Sequence, residues 1–503
     1  MIVISEIDKN QAHNPQPERN TPRKWWVTVG VGIGVFIFAL DVYIVNLALP
    51  IMVESLHTNF ATIQWVVLSY LLAIAIFVLS AAKLGDMWSK KRLYIFGLVL
   101  FTVSSFLCGL APTVSLLIAF RALQGLGAAF LSGLGTAMIV EAFPPQERGL
   151  GLGIRAGVFG LGIMLGPSVG GLLISLGGWP LIFLINLPIG IIGSLIVAYF
   201  VPSSVVNTDK QSFDLLGTII LTLTLSSFTL GITLSQSRIF SLQIIIALLI
   251  TSIVACGVFL LVETSSPQPM LDLKIFQSLE FSLGLGLRFL GNFVMAGVIF
   301  MLPFFLKLVK QYSTEEAGLL LAIPPILIVL TAPIAGIFAD RWGARKISLI
   351  GLTLMAVGCL LISNFNSNLT IPQYIFAIIP YGLGVGMFQS PNNSSIMGAA
   401  PKDKLSLASG LLSLSRILGQ TIGVPLVGAL FSFITLTNAQ LTLDIDVTNA
   451  PLAALVFGTH ITFLAIAILL IISVIFTVGL SLVEEKFQFM YSQIKKSLKI
   501  LVK

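Results

Sequence analysis

Charged residues are scarce in this sequence. Asp, Glu, Lys and Arg together make up 10% of the 503 residues, whereas soluble globular domains carry about 25%. Hydrophobic residues account for 56%. The composition therefore excludes a soluble globular protein and predicts a polytopic membrane protein.

Cysteine and histidine are also rare, with three residues of each. The cysteines stand singly in apolar segments, and neither residue type has the spacing of a metal site or a disulfide framework. The sequence contains no GxxxxGK[ST] phosphate-binding loop, which argues against ATP drive within this chain. We therefore expect a protein that is not an enzyme, with no cofactor, no metal site and no nucleic-acid partner.

Long apolar runs fill the rest of the chain. A membrane span needs about 20 apolar residues, and fourteen segments meet this rule. They lie near residues 26–48, 63–82, 93–110, 115–139, 150–175, 180–201, 215–234, 241–262, 280–306, 316–339, 346–363, 373–397, 407–433 and 457–482.

Lys and Arg concentrate in alternate loops and in both terminal segments. Because short cytoplasmic loops carry the excess of positive charge, this pattern predicts a multi-pass protein of the plasma (inner) membrane with both termini in the cytoplasm. The C-terminal stretch mixes aromatic residues with lysines, which suits either an interfacial amphipathic helix or a disordered tail.

An internal repeat relates the two ends of the chain. KLGDMWSKKR at 83–92 matches IFADRWGARK at 337–346, and QGLG at 124–127 matches YGLG at 381–384. The separation corresponds to eight helices with their loops, so two extra helices lie between two six-helix bundles. The predicted organisation is a cytoplasmic tail (1–24), an N-terminal bundle (25–201), two linking helices with flanking loops (202–278), a C-terminal bundle (279–483) and a basic cytoplasmic tail (484–503).

Asp41 lies in the middle of the first apolar segment. A charge near the centre of a bilayer is costly and marks a functional site by default. Arg121 is similarly placed in the fourth segment, and pairing the two would reduce both costs. Because protonation of Asp41 would break the pair, we predict a proton-coupling role for both residues. The alternative is a purely structural ion pair. The position matching Arg121 in the second half is Ile378.

The two matching loops predict a cytoplasmic gate. An acid followed by bases at the inner ends of neighbouring helices can latch those helices together. The alternative is a basic loop that reflects topology alone. The candidate gate residues are Asp86, Lys90, Lys91, Arg92, Asp340, Arg341, Arg345 and Lys346.

Glycines dominate the stretch from 157 to 171. Gly162, Gly166 and Gly170 recur every four residues, and Pro167 and Gly171 accompany them. Small residues at this spacing allow close helix packing, while a proline removes a backbone hydrogen bond. Tight packing and a hinge are both compatible with this pattern.

Further arginines fall inside apolar segments without an acid nearby. Buried arginines should face the bundle interior or an aqueous cavity. Arg288 and Arg416, with Asn292, are the candidate cavity residues, whereas Arg155 lies close enough to a helix end to extend toward the surface. These cations predict a cavity that tolerates neutral or anionic groups.

Taken in order, the motifs resemble those of the major facilitator superfamily and, within it, the fourteen-helix drug:proton antiporters. The pieces that carry the resemblance are LDVYIVNLALP (40–50), the two loops at 83–92 and 337–346, RALQGLG (121–127), GPSVGG (166–171), WPLIFLINLPIG (179–190), PMLDLKIF (269–276) and SRILGQTIG (415–423).

The resemblance implies an all-α membrane fold with two six-helix bundles around a central cavity, and export driven by inward proton flow. It implies Asp41 as the proton carrier, Arg121 as its helper, Asp86 as the latch and the glycine stretch as the segment associated with antiporters. Ala82, Ser89 and Pro180 depart from the usual pattern.

The sequence therefore predicts a proton-coupled antiporter that exports small amphipathic compounds by alternating access. Its expected partners are a small-molecule substrate, protons and the lipid bilayer, and the sequence neither supports nor excludes a periplasmic adaptor. The alternatives are a dedicated exporter of one endogenous metabolite, such as a siderophore, sugar or lipid precursor, and a non-transporting membrane receptor.

Overall fold

The structure is a computed structural model that describes residues 21–144, 147–202, 215–235, 241–265, 273–401, 405–440 and 446–501. A few side chains within the helices, including those of Asp86 and residues 481–501, lie outside this description. The described residues form an all-helical protein with 14 helices long and apolar enough to cross a membrane. This confirms the predicted fold class.

The helices are numbered in chain order. They are α1 (Thr21–Ser55), α2 (Phe60–Met87), α3 (Lys90–Gly109), α4 (Val114–Ala142), α5 (Arg148–Gly177), α6 (Leu181–Phe200), α7 (Leu215–Leu234), α8 (Leu242–Ser265), α9 (Leu279–Phe304), α10 (Thr314–Trp342), α11 (Ala344–Ser363), α12 (Ile371–Ala399), α13 (Leu405–Asn438) and α14 (Leu452–Leu501). A π-helical turn, Phe305–Val309, extends α9.

Several helices are longer than their apolar cores. The sequence predicts a first span at 26–48, but α1 covers 35 residues, or about 52 Å at 1.5 Å per residue. A bilayer core is about 30 Å thick, so the helix continues through the headgroup region. At the other end of the chain, the backbone of α14 continues as helix to Leu501.

Short polar residues define where several helices begin. The side chain of Asn59 accepts a hydrogen bond from the Thr62 amide at 2.7 Å, at the start of α2. Ser313 forms a reciprocal capping box with Glu316 at the start of α10. Each cap satisfies amide groups that the first helical turn leaves unpaired.

The helix contacts repeat between the two halves of the chain. In the first half, α1 packs on α5 and α6, and α4 packs on α2 and α3; in the second half, α9 packs on α13, and α12 packs on α10 and α11. The halves meet through α5 against α10 and α2 against α13. The linking helix α7 packs on α2 and α13, whereas α8 packs mainly on α7. The predicted domain boundaries remain a prediction.

Glycine crossings show the repeat at the level of single residues. A Cβ at Gly97 would lie 3.1 Å from the Gly127 carbonyl oxygen, and a Cβ at Gly351 would lie 2.8 Å from that of Gly384. The backbones of α3 and α4, and of α11 and α12, therefore cross at closely similar points where only glycine fits.

We call the end of the bundle where α1 begins and α14 ends the terminal end, and the opposite end the far end. At the far end, a Cβ at Gly318 of α10 would lie 2.7 Å from the carbonyl oxygen of Pro167 in α5. Phe60 packs there against Phe300, Phe304 and Phe431. Nearer the terminal end of α5, a Cβ at Gly157 would meet nothing within 4 Å. The far-end contact of α5 with α10 is therefore closer than the packing around Gly157.

Candidate functional site

Asp41 and Arg121 form an ion pair in the interior of the first half. Asp41 projects from α1 and Arg121 from α4, and Arg121 Nη1 donates to Asp41 Oδ2 at 2.5 Å. The two side chains are 0% and 1% exposed, respectively. The structure thus brings together the two residues to which the sequence assigns proton coupling, in a place closed to solvent.

Polar side chains satisfy the remaining hydrogen-bonding capacity of this pair. Gln124 Nε2 donates to Asp41 Oδ1 at 2.9 Å, and Gln124 Oε1 accepts from Arg121 Nη1 at 2.6 Å. Asn186 Nδ2 of α6 approaches the same Asp41 oxygen at 3.3 Å. Arg121 Nε donates to the Val66 carbonyl oxygen of α2 at 2.9 Å.

Ser105 of α3 joins the amide groups to one another. Its hydroxyl oxygen accepts from Gln124 Nε2 at 3.1 Å and from Asn186 Nδ2 at 3.0 Å, and its hydroxyl donates to the Phe183 carbonyl oxygen at 2.9 Å. We call Asp41, Ser105, Arg121, Gln124 and Asn186 the Asp41 network. Together with the Val66 carbonyl it connects α1, α2, α3, α4 and α6.

An aromatic ring covers the guanidinium of Arg121. The Tyr70 ring centroid lies 4.1 Å from Arg121 Cζ, within the range of a cation–π interaction. Within the described ranges, the buried Tyr70 hydroxyl has no hydrogen-bond partner. A buried hydroxyl without a partner is costly. This hydroxyl is therefore available to hydrogen-bond to a molecule that enters the interior.

The chemistry of the site follows from its burial. Removing one member of a buried ion pair leaves the other as an uncompensated charge, which costs about 3–5 kcal/mol. Neutralising Asp41 with a proton has the same sign of effect, because the buried Arg121 then loses its counter-ion. The network can therefore link a protonation event to the packing of five helices.

Sequence reasoning missed Ser105, Gln124, Asn186 and Tyr70 as site residues. Gln124 and Asn186 lie in the RALQGLG and WPLIFLINLPIG motifs, and Gln124 follows Arg121 by three residues on the same helix face. An uncharged polar residue at mid-span, on the face of a known charge, is the signal that could have identified Gln124.

The second half carries apolar or weakly polar residues at the corresponding positions. The α5 crossing on α1 near Gly162 matches the α13 crossing on α9 near Gly419, because both glycines face a carbonyl oxygen, that of Phe36 or of Phe289. When the helices of the two halves are aligned at such crossings, four members of the Asp41 network correspond to residues of α9, α11 and α12. The corresponding residues are Val294 for Asp41, Cys359 for Ser105, Ile378 for Arg121 and Tyr381 for Gln124.

The predicted glycine segment contacts two helices. A Cβ at Gly162 would lie 2.8 Å from the Phe36 carbonyl oxygen, one at Gly166 would lie 2.9 Å from Tyr43 Cβ, and one at Gly170 would lie 2.7 Å from Ile44 Cγ1. These three glycines therefore face α1. Gly171 instead faces α10, where its Cβ would lie 3.0 Å from the Thr314 carbonyl oxygen.

The predicted gate residues lie at the terminal end. Lys90 Nζ donates to Glu141 Oε1 at 2.6 Å, linking α3 to α4, and Lys91 Nζ donates to the Ala198 carbonyl oxygen at 2.7 Å, linking α3 to α6. The other gate residues comprise Asp340, Arg341, Lys346 and Arg92, which are exposed, and Arg345, which is half-buried. The side chain of Asp86 lies outside the described residues.

The candidate cavity residues separate into two groups. Arg288 donates to the Asn393 side-chain oxygen and, at 2.8 Å, to the Leu412 carbonyl oxygen. Asn292 bonds to the Arg288 carbonyl oxygen one turn earlier at 2.8 Å. Both residues therefore make their hydrogen bonds within the second half. Arg416 lies between the halves, and its guanidinium carbon is 5.8 Å from the Phe38 ring centroid and 5.9 Å from that of Phe159.

An apolar cavity of about 30 Å³ lies between the halves. Its walls come from α1, α5, α9, α10 and α12, and they include Tyr43, Pro167, Met295, Pro324 and Tyr381. The residues that the structure describes contain no cluster of three or more His, Cys, Asp or Glu side chains that could hold a metal.

Two repeated six-helix halves around a central cavity are the architecture of a membrane transporter. A family model described as Major Facilitator Superfamily matches residues 31–287 and, a second time, residues 286–489. The chain belongs to the major facilitator superfamily.

Curated relatives are transporters. The riboflavin transporter RibZ of Clostridioides difficile is 33% identical over 410 residues, which are 82% of this chain and 89% of the relative. The multidrug resistance protein Stp of Mycobacterium tuberculosis is 31% identical over 80% of this chain and 75% of its own. The tetracenomycin C resistance and export protein of Streptomyces glaucescens is 28% identical over 82% and 76%.

Solved structures of transporters share the fold. A bacterial homologue of the human lysosomal transporter Spinster, in an inward-facing and unoccupied conformation, superposes with a TM-score of 0.64 at 16% identity, covering 91% of this chain and 97% of the other. The peptide transporter POT in complex with sulfate gives a TM-score of 0.67 at 14% identity, covering 90% and 94%. At these identities the likeness concerns the fold alone.

Proposed function

We propose that this protein is a proton-coupled antiporter that exports small amphipathic compounds across the plasma membrane by alternating access. The observation that carries the proposal is the fully buried Asp41–Arg121 pair, to which the Gln124 and Asn186 side chains bond directly in the interior of the first half. Burying so much polarity is expensive in a membrane, and a structural role alone would be served by apolar packing, as it is at the matching positions of the second half.

The proposed cycle starts with a proton that reaches Asp41 from the outside. The neutral carboxyl group no longer balances Arg121, and the network rearranges to give the guanidinium another partner. Because the network connects five helices of one half, this local change favours a different packing of that half against the other. Substrate then occupies the cavity in the conformation that has released the proton.

Alternation would open and close the two ends of the bundle in turn. The tight far-end contact of Gly171 with Gly318 closes the proposed outer side, and the loops at the terminal end form the proposed cytoplasmic latch. With both termini in the cytoplasm, the structure corresponds to a carrier closed to the outside.

Relatives support an amphipathic cargo. Stp is named a multidrug resistance protein, and another relative exports tetracenomycin C. The central cavity, with its proline, methionine and tyrosine walls, provides an apolar surface that suits such compounds. The riboflavin transporter supports a second candidate, which is transport of a single aromatic metabolite.

The test is transport by purified protein in liposomes with an imposed pH gradient. The panel contains ethidium, rhodamine 123, fluorescein and riboflavin, and proton movement is followed with a pH-sensitive dye in the lumen. We expect substrate movement that depends on the gradient and substrate-induced proton flow. Asp41→Asn should abolish both.

Glu147→Gln is the control, since it removes a partly exposed carboxylate at the terminal end that pairs with Lys24, outside both the network and the candidate gate. Gradient-driven transport that survives in Asp41→Asn would contradict the proposed coupling site. Transport of riboflavin alone would favour the single-metabolite carrier, and a complete absence of transport would favour the receptor hypothesis.

A further inference from the structure

Arg416 occupies the centre of the protein. Its guanidinium lies over Phe38 of α1 and Phe159 of α5, although Arg416 itself belongs to α13 of the other half. Phe159 precedes Gly162 by three residues, as Arg416 precedes Gly419, so the two occupy corresponding positions of the repeat. Residues related by the repeat can meet only near the axis that relates the two halves, which runs through the central cavity.

In the part of the chain that the structure describes, the guanidinium of Arg416 has no charge partner. Among the described residues, no carboxylate oxygen lies within the 4.0 Å of an ion pair from Arg416, Arg288 or Arg155. The Arg416 side chain is half-buried. Because Arg416 belongs to the second half and its two ring contacts belong to the first, its guanidinium lies between the halves and not toward the lipid. A cation in this setting is costly unless an anion compensates it.

The ring pair beside Arg416 favours a planar ligand. The Phe38 and Phe159 rings are stacked, with centroids 6.0 Å apart and an interplanar angle of 27°. Tyr43 links this group to the apolar cavity, because it lines the cavity and lies on α1 little more than one helical turn beyond Phe38. A ligand could therefore place a flat apolar body in the cavity and a charged group at Arg416.

We propose that Arg416 is the anion-recognition residue of the substrate cavity, and that the cargo is an aromatic amphipathic compound with an anionic group. This inference rests on the proposed function and names its substrate class. The Phe38–Phe159 pair stacks on the aromatic body, and the Arg416 guanidinium bonds to the anion in a charge-assisted contact.

Tyr70 adjoins the Asp41 network. Its ring covers Arg121, and its hydroxyl lacks a partner among the described residues.

The test is equilibrium binding to purified protein in lipid nanodiscs without a proton gradient. Fluorescein and rhodamine 123 share a xanthene ring system but carry opposite charge, and each is followed by fluorescence anisotropy. We expect Arg416→Gln to weaken fluorescein binding about 10- to 100-fold, as loss of a charge-assisted contact predicts. Rhodamine 123 binding should stay the same or tighten, because a like charge has been removed. Arg416→Lys should retain most of the fluorescein affinity.

Arg288→Gln is the matched control, because Arg288 bonds within the second half and should not set the preference between the two dyes. Unchanged fluorescein binding in Arg416→Gln overturns the inference, as does equal weakening of both dyes. Gradient-driven fluorescein transport by Arg416→Gln at the wild-type rate would show that the proposed function stands while the anion site fails. Fluorescein binding that depends on Arg416, in a protein that shows no proton-driven transport, would show that the anion site stands while the proposed function fails.

Discussion

The two halves of this protein share their backbone crossings but differ in what they bury. Both halves use glycine pairs to bring helices together, Gly97 with Gly127 in the first and Gly351 with Gly384 in the second. In the first half, Asp41 and Arg121 form a buried ion pair. The matching positions of the second half hold Val294 and Ile378, so the described structure has an ion pair at one of the two sets of matching positions.

The difference separates the requirements of folding from those of function. The crossings recur because every six-helix half must pack its helices closely in lipid, where small residues at the interface are the main means of doing so. Val294 and Ile378 show that the same packing forms without charge. We infer that the Asp41 network is retained for coupling, and substitution can test this by exchanging residues between the halves.

The largest expected effect on stability comes from replacing Arg121 of the first half by isoleucine, the residue at the matching position of the second half. Arg121→Ile leaves Asp41 buried without its counter-ion, and we expect a loss of about 3–5 kcal/mol of stability. Thermal unfolding in detergent measures it.

The double variant Asp41→Val with Arg121→Ile should recover most of this stability, because it installs the apolar pair of the second half. It should still lack proton-driven transport. A double variant as unstable as Arg121→Ile alone would show that the polar network is needed for folding.

The shared crossings should respond alike in the two halves. Gly127→Ala and Gly384→Ala each bring a Cβ within 2.7 Å of a backbone nitrogen, of Phe101 in one case and of Met355 in the other. Overpacking of this kind costs about 1–3 kcal/mol, so both variants should lower the unfolding temperature by similar amounts. Gly157→Ala, where a Cβ meets nothing within 4 Å, is the control and should be neutral or slightly stabilising. Unequal losses at the two crossings would argue against equivalent packing.

The contact of α5 with α10 and the contact of α2 with α13 should respond differently to an added methyl group. Gly318→Ala places a Cβ 2.7 Å from the Pro167 carbonyl oxygen, so the far-end contact of α5 with α10 must loosen. We expect the equilibrium to shift about tenfold toward the state open at the far end, equivalent to about 1.4 kcal/mol. Distances between spin labels on the far-end loops report the shift.

Gly428→Ala, at the contact of α2 with α13, is the comparison. Its Cβ would meet the end of the Gln64 side chain, which can move more easily than a backbone. A larger shift for Gly428→Ala than for Gly318→Ala would place the principal far-end closure at α2 and α13.

The smallest effect concerns an ion pair at the terminal end of the first half. Lys24 Nζ lies 2.5 Å from Glu147 Oε2, and the two side chains are 15% and 43% exposed, respectively. Partly exposed pairs contribute about 0–1 kcal/mol and are screened by salt. Lys24→Gln should therefore lower stability by less than about 1 kcal/mol at low ionic strength, and the loss should shrink in 1 M salt. A loss as large as that of Arg121→Ile would contradict the ranking of buried over surface charge.

The sequence predicts the fourteen spans, the repeat and the family, because apolar length and motif order depend on neighbouring residues along the chain. The juxtaposition of Asp41 with Arg121 could also be anticipated, since each charge needs a partner in an apolar interior. Gln124 could have been assigned as well, because it follows Arg121 by three residues on the same helix face. Ser105 and Asn186 could not be assigned to the site, because their roles depend on how the helices rotate against one another. The same limit applies to Arg288, whose partners Asn393 and Leu412 lie on helices distant along the chain.

The hairpin of α7 and α8 gives the transporter an asymmetric exterior. In the described structure α7 packs on both α2 and α13 and so lies along one of the two seams between the halves, where Ser80 and Thr218 hydroxyls are 3.3 Å apart. The other seam, between α5 and α10, presents exposed side chains such as Leu161 and Leu330 to the surroundings. Brominated lipids should therefore quench the fluorescence of Leu161→Trp more strongly than that of Leu221→Trp, which lies buried in α7. A lipophilic compound dissolved in the bilayer would then have one lateral route toward the cavity, and the membrane itself would serve as the reservoir from which cargo is drawn.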